Sequence, residues 1–201
     1  RFNSRCVAKR ALPNVFFFER NAFLAAHFRE RYKSLIAAIV MLISSCKSLR
    51  VKDTSIFRPP KKRITELKSA IQSLHSQGLR VIMDVVYNHV YDARTFSENQ
   101  IVPGYWFRTD SSGNLTNASG CGNDVASERP MVRKFIVDSV KYWAKEYNLS
   151  GFRFDLMGLL DLTTMKQVRD EVSKIDPSII ILGEGWNMGT LANSERASQS
   201  N

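Results

Sequence analysis

Apolar residues recur at helical spacing at Ile64, Leu67, Ile71 and Leu74, and Gly78 follows as a stop, so a helix is predicted from about residue 63. Residues 79–86 form a nearly continuous apolar, β-branched run broken by Arg80 and Asp84, the pattern of a strand covered on both faces. Val132, Phe135, Ile136, Val140, Trp143 and Tyr147 mark a second helix, opened near Pro130, where a missing N–H costs nothing. It feeds a strand at residues 151–156. Asp161 is placed to cap a third helix with Leu162, Met165, Val168 and Val172 on its inner face, ended by Asp176-Pro177. Residues 179–182 are the next strand. The order helix, strand, loop, helix, strand, helix, strand is that of parallel β/α units with right-handed crossovers.

Strand alternation sorts the side chains. Gly151, Arg153 and Asp155 share one face, and Phe152, Phe154 and Leu156 share the other. Large apolar groups suit packing against outer helices, which directs Arg153 and Asp155 toward the axis of a barrel. The same parity groups Ile82 with Asp84, and Leu182 with Glu184. Three strings, Asp84-Val85-Val86-Tyr87-Asn88-His89, Gly151-Phe152-Arg153-Phe154-Asp155 and Gly183-Glu184-Gly185-Trp186, thus set a carboxylate where an apolar strand runs out. The C-terminal ends of buried parallel strands are where α/β barrels keep their chemistry.

The connection at residues 91–129 carries Gly104, Gly113, Gly120 and Gly122 and no clear periodicity. So long a connection after a strand end predicts an active-site loop or small subdomain over the catalytic face. Its Tyr105-Trp106-Phe107 run offers flat rings suited to the apolar faces of sugars, or simply anchors the loop.

Charge divides the chain. The net charge is +10, yet 15 of the 29 Lys/Arg and only 3 of the 19 Asp/Glu fall in residues 1–63, so the basic excess belongs to that third. This stretch has no glycine and no β/α rhythm. It reads as a basic segment over residues 1–62, disordered or foreign to the fold. No aromatic-interleaved or motif-like spacing in it points to nucleic acid. Its apolar run at residues 35–43, followed by Ser44-Ser45-Cys46, looks like a secretory or lipoprotein signal set too deep in the chain, or an incidental helix. It is too short for a transmembrane span. Cys6, Cys46 and Cys121 have neither metal nor disulfide spacing.

Two carboxylates at adjacent strand ends, Asp155 and Glu184, are what cleavage of a glycosidic bond requires: one as nucleophile or base, one as proton donor. Arg153 would keep Asp155 ionised. A drier setting beside Trp186 would hold the donor protonated. Asp84 and His89 would hydrogen-bond sugar hydroxyls, with Tyr87, Trp186, Tyr105 and Trp106 as further substrate contacts. Singly, each has a structural reading: Asp84 as a cap or ion-pair partner, His89 as a packing histidine, Asn88 as a turn residue.

The three strings resemble three of the four sequence regions of the α-amylase superfamily of glycoside hydrolases (family 13). Together with Ala126-Ser127-Glu128-Arg129-Pro130-Met131 and Phe152-Arg153-Phe154-Asp155-Leu156-Met157, they resemble its type I debranching branch, which cleaves α-1,6 linkages in pullulan, starch and glycogen. The resemblance covers roughly residues 61–201. It implies an α/β fold, a partial (β/α)8 barrel spanning roughly strands 3 to 5 with a long loop after strand 3. It implies Asp155 as nucleophile, Glu184 as general acid/base, Arg153 as orienting group, and Asp84 and His89 in the subsite of the cleaved sugar. The implied partner is an α-glucan polysaccharide, and no cofactor is required. Asn88 matches a position that binds calcium in many α-amylases, so calcium stays an option there. The compartment stays open between bacterial cytoplasm and exterior.

The fourth region of the superfamily, with its His-Asp pair, is absent from the sequence, as are the Tyr-Asn-Trp-Gly-Tyr signature of the debranching branch and recognisable first and second barrel strands. The expectation is a frame-disrupted or truncated coding sequence in which a foreign segment precedes an internal barrel piece, inactive by itself. Other readings are a related α-glucan hydrolase or transferase of neopullulanase, isoamylase or amylase type, and a non-catalytic glucan-binding fragment.

Overall fold

The computed structural model describes residues 15–18 and 60–198. Of these, 60–69 belong to one compact unit and the rest to another. What was expected of the other residues in 1–59, including the run at 35–43, lies outside the described residues.

Helix α1 (Pro60–Ser76) runs across the boundary between the units. Its expected apolar face is graded: Ile71 is buried, Leu67 and Leu74 are half-buried and Ile64 is exposed. Gly78 ends the turn after it with φ +76°, a backbone conformation that suits glycine.

The second unit is built on a four-stranded parallel sheet, β1 (Val15–Phe18), β2 (Arg80–Val85), β5 (Gly151–Phe154) and β6 (Ile180–Gly183), in the order β1-β2-β5-β6. Strand β1 lies within residues 1–62, where the sequence shows no β/α rhythm. Four apolar residues in a row are too short a signal for a periodicity to register.

Helices α3 (Pro130–Tyr147) and α4 (Leu162–Ser173) are the crossovers from β2 to β5, by way of the long connection, and from β5 to β6. Pro130 occupies the first turn of α3, and Asn148 ends the helix in the left-handed conformation. Asp161 caps α4 as expected, its carboxylate accepting from the Thr164 N–H at 3.0 Å. The helix stops at Ser173, two residues before Ile175 and ahead of the expected Asp176-Pro177 terminator. Val132, Ile136, Val140, Met165, Val168 and Val172 are buried with Phe152 and Phe154. At about 1.5–3 kcal/mol for each fully buried side chain of this size, this layer is the main source of stability. Lys141 and Glu171 join the two helices by an ion pair at 2.6 Å.

The connection at 91–129 is an ordered subdomain. It holds helix α2 (Ser97–Ile101) and strand β4 (Asn123–Asp124), which pairs antiparallel with β3 (His89–Val90) just before it. Phe96 packs edge-on against Trp106 and Phe107, with centroids 5.9 and 5.6 Å away, and Trp106 reaches Phe135 of α3 at 5.4 Å. No described helix is long and apolar enough to cross a membrane.

Candidate active site

The register of the sheet places the charged side chains. Asp84 on β2 lies opposite Arg153 on β5, and Arg153 opposite Leu182 on β6. Ladder bonds continue one residue past the strands: the Asp155 N–H donates to Val85 O at 3.0 Å and the Glu184 N–H to Phe154 O at 3.2 Å. Both carboxylates therefore leave the sheet from fixed backbone.

They meet at one cation. Arg153 Nη1 donates to Asp84 Oδ1 at 2.8 Å and to Asp155 Oδ1 at 3.0 Å, and Nη2 lies 2.6 Å from Glu184 Oε1. Burial works against the Arg153 cation, but hydrogen bonds and charge from Asp84, Glu184 and Asp155 outweigh it and raise its pKa above the ordinary guanidinium value. The side chains remain partly open to solvent, Asp155 at 28% and Glu184 at 32%. A ligand can reach both.

The chain leaves β5 through an unusual turn. Leu156 adopts φ 40°, ψ 49°, which costs a non-glycine residue about 1–2 kcal/mol. In that conformation its N–H donates to Glu184 Oε2 at 3.1 Å. The 3-10 turn Met157–Leu159 follows, and its Gly158 N–H donates to Glu184 O at 2.9 Å. Gly158 is required there, since a Cβ would overlap the Trp186 carbonyl oxygen. Neither the strained turn nor its grip on Glu184 is visible in the sequence, where Leu156 reads as the last residue of a strand.

Asn88 is fully buried. Its amide donates to the Asp155 backbone oxygen and lies 3.4 Å from Asp155 Oδ2, while its oxygen is bonded by His89 Nδ1. Both ends of the Asn88 side chain are thus engaged, and its amide joins the loop after β2 to the backbone of Asp155. No group of three or more His, Cys, Asp or Glu that could hold a metal occurs among the described residues.

One of the expected substrate contacts turns toward α3. Tyr87 keeps the parity of Val85, which faces the helices. Its hydroxyl is 2.7 Å from Ser139 Oγ of α3, and its ring lies 6.0 Å from that of Phe154. Burial raises its pKa, with the Ser139 bond opposing. Trp186 does not dry the site: it is 56% exposed, because the chain leaves the strand at Gly183 and the alternation lapses. Tyr105 accepts the Met131 N–H on its hydroxyl at 3.2 Å, with the Arg129 guanidinium 5.5 Å from its ring centre. Trp106, between Phe96 and Phe135, packs the subdomain.

A parallel α/β layer whose successive strand ends gather carboxylates around one guanidinium defines a protein of the α/β class with a site equipped for acid–base and nucleophilic chemistry. Comparison with known proteins makes this particular. No family model matches the chain. The pullulanase of Bacillus subtilis (strain 168) is 50% identical over 143 residues, 71% of this chain and 20% of that protein. The chloroplastic pullulanase 1 of Arabidopsis thaliana is 40% identical over 154 residues, 69% of this chain and 16% of that protein. The crystal structure of pullulanase from Anoxybacillus sp. LM18-11 complexed with maltotriose matches with a TM-score of 0.68 and 55% identity, over 70% of this chain and 20% of that one. Over that stretch the chain is a homologue of the pullulanases. It spans a fifth or less of the length of these relatives.

Proposed function

We propose that the chain carries the retaining site of an α-1,6-glucan hydrolase of pullulanase type, acting on pullulan, starch or glycogen, and that its sheet is part of a (β/α)8 barrel. The observation that carries the reading is the contact of one guanidinium with Asp84, Asp155 and Glu184 at the ends of consecutive strands. The pullulanase structures solved with maltotriose and maltose support an α-glucan as the ligand.

In this reading Asp155 attacks the anomeric carbon and the bond from that carbon to the O6 leaving oxygen breaks, with Glu184 giving its proton to that oxygen. Glu184 then takes a proton from water, which attacks the same carbon and releases Asp155. Two inversions retain the anomeric configuration, and the carboxyl separation of about 5–5.5 Å typical of this route suits groups gripped by neighbouring nitrogens of one guanidinium. Arg153 holds Asp155 by a hydrogen bond between opposite charges, Asn88 orients it, and Asp84 and His89 hydrogen-bond the hydroxyls of the cleaved sugar. Trp186 offers an exposed ring for stacking, whereas Tyr87 serves the fold. Protein carboxylates suffice for this reaction without a cofactor.

Product analysis on pullulan tests the reading. Maltotriose is expected. Panose would shift the assignment to a neopullulanase-type linkage preference, and absence of both would leave a glucan-binding role at most.

A further inference from the structure

We propose that Arg108 is a positioning residue for Glu184, acting from the subdomain through the 3-10 turn Met157–Leu159; this rests on the reading of Glu184 as the acid/base group. The string Ala126-Ser127-Glu128-Arg129-Pro130-Met131, which stood out in the sequence, has no part in the site described above, yet two of its residues hold Arg108. Arg108 is 5% exposed. Its Nε and Nη2 donate to Glu128 Oε2 at 3.0 and 2.8 Å, Nη2 also reaches Ser127 Oγ at 3.2 Å, and Nη1 donates to the Leu159 carbonyl at 2.7 Å.

A buried guanidinium is costly unless its donors are met, and an aliphatic side chain would fill the same space more cheaply. What the planar fork adds is simultaneous reach to a carboxylate, a hydroxyl and a carbonyl. The carbonyl belongs to the last residue of the turn that grips Glu184. One residue back, the Gly158 N–H donates to Glu184 O, and the Leu156 N–H bonds the Glu184 carboxylate. The left-handed Leu156 persists only if its surroundings over-determine it. Arg108 supplies that constraint at one end of the turn. Ser127 adds to it on the same, C-terminal side, where its Oγ accepts the Asp161 N–H at 2.9 Å and its carbonyl accepts the Thr164 hydroxyl at 2.9 Å. The subdomain is thereby tied to the placement of Glu184 through the turn.

Amide NMR with hydrogen exchange on the 201-residue chain tests this in wild type, Arg108→Met and Arg108→Lys. In Arg108→Met the Leu156 and Gly158 amides should change shift and exchange about tenfold faster or more, while Phe152 and Leu182 in the sheet keep their rates. Arg108→Lys, which keeps the charge but loses the fork, should fall between, and it carries the comparison if the Met variant does not fold. Unchanged rates and shifts at Leu156 and Gly158 would overturn the proposal. So would equal acceleration at all four amides, which would make Arg108 a residue of the fold alone. No glucan enters the measurement, so a chain that cleaves no pullulan refutes the reading of Glu184 without altering this result.

Discussion

Arg153 and Asp84 face each other across adjacent parallel strands, and the guanidinium of the first binds both oxygens of the second, at 2.8 and 3.1 Å. Asp155 and Glu184 use the same cation. Removing it leaves three carboxylates facing one another. Arg153→Met should therefore lose about 2–4 kcal/mol in urea denaturation near pH 7, below the full cost of a buried orphan charge because the cluster is partly solvated. An Arg153→Met variant that denatures with wild type would mean that the three carboxylates do not depend on this cation.

Tyr87 is expected to serve the fold, its hydroxyl being engaged by Ser139 of α3. Tyr87→Phe should cost about 1 kcal/mol of stability through the lost Ser139 bond and leave maltotriose affinity unchanged. Because burial raises the phenol above its ordinary 10.0 and the Ser139 bond opposes, Ser139→Ala should move its absorbance titration further up. A raised folded-state pKa stabilises below the unfolded value, and that contribution fades as pH rises through the folded one. Weaker maltotriose binding by Tyr87→Phe would contradict this assignment.

Glu171 links the two crossover helices. Hydrogen bonds from Lys141 and Lys174 lower its pKa from 4.5 to about 2. The lowered folded-state value stabilises the fold above 4.5 and is lost as pH falls toward 2. Glu171→Gln should accordingly flatten the acid limb of the stability curve across that interval. Parallel wild-type and variant curves there would exclude the linkage.

Gly158→Ala should destabilise by about 1–3 kcal/mol, because the added methyl meets backbone of the Glu184-Gly185-Trp186 string and not a side chain that can move aside. Thermal melting reads the loss. A variant that melts with wild type would show that this close approach is relaxed in solution.

Much of this was legible in the pattern of apolar residues. Helices and strands with buried, periodic faces fell within about three residues of their observed limits, and the parity that put Asp84 with Ile82 and Arg153 with Asp155 placed these charges together. Parity failed where strands end: Trp186 shares it with Glu184 but lies beyond the last ladder bond, and Leu156 was read as strand where it turns left-handed. Asn88 and Arg108 were illegible for a different reason. Their partners, Asp155 and Leu159, are 67 and 51 residues away and are met through backbone carbonyls, which no side-chain spacing records. The subdomain at 91–129 hid behind its lack of periodicity, since bridges and edge-to-face rings hold it instead of long elements.

Covalent trapping separates Asp155 as the proposed nucleophile from the other two carboxylates. The chain would be incubated with a slowly hydrolysed α-glucosyl fluoride, whose fluoride leaves as the carboxylate bonds the anomeric carbon, and the digest mapped by mass spectrometry. One glucosyl addition is expected on the peptide carrying Asp155, absent from Asp155→Asn. A glucosyl group on Asp84 or Glu184, or none under conditions where pullulan is cleaved, would contradict it.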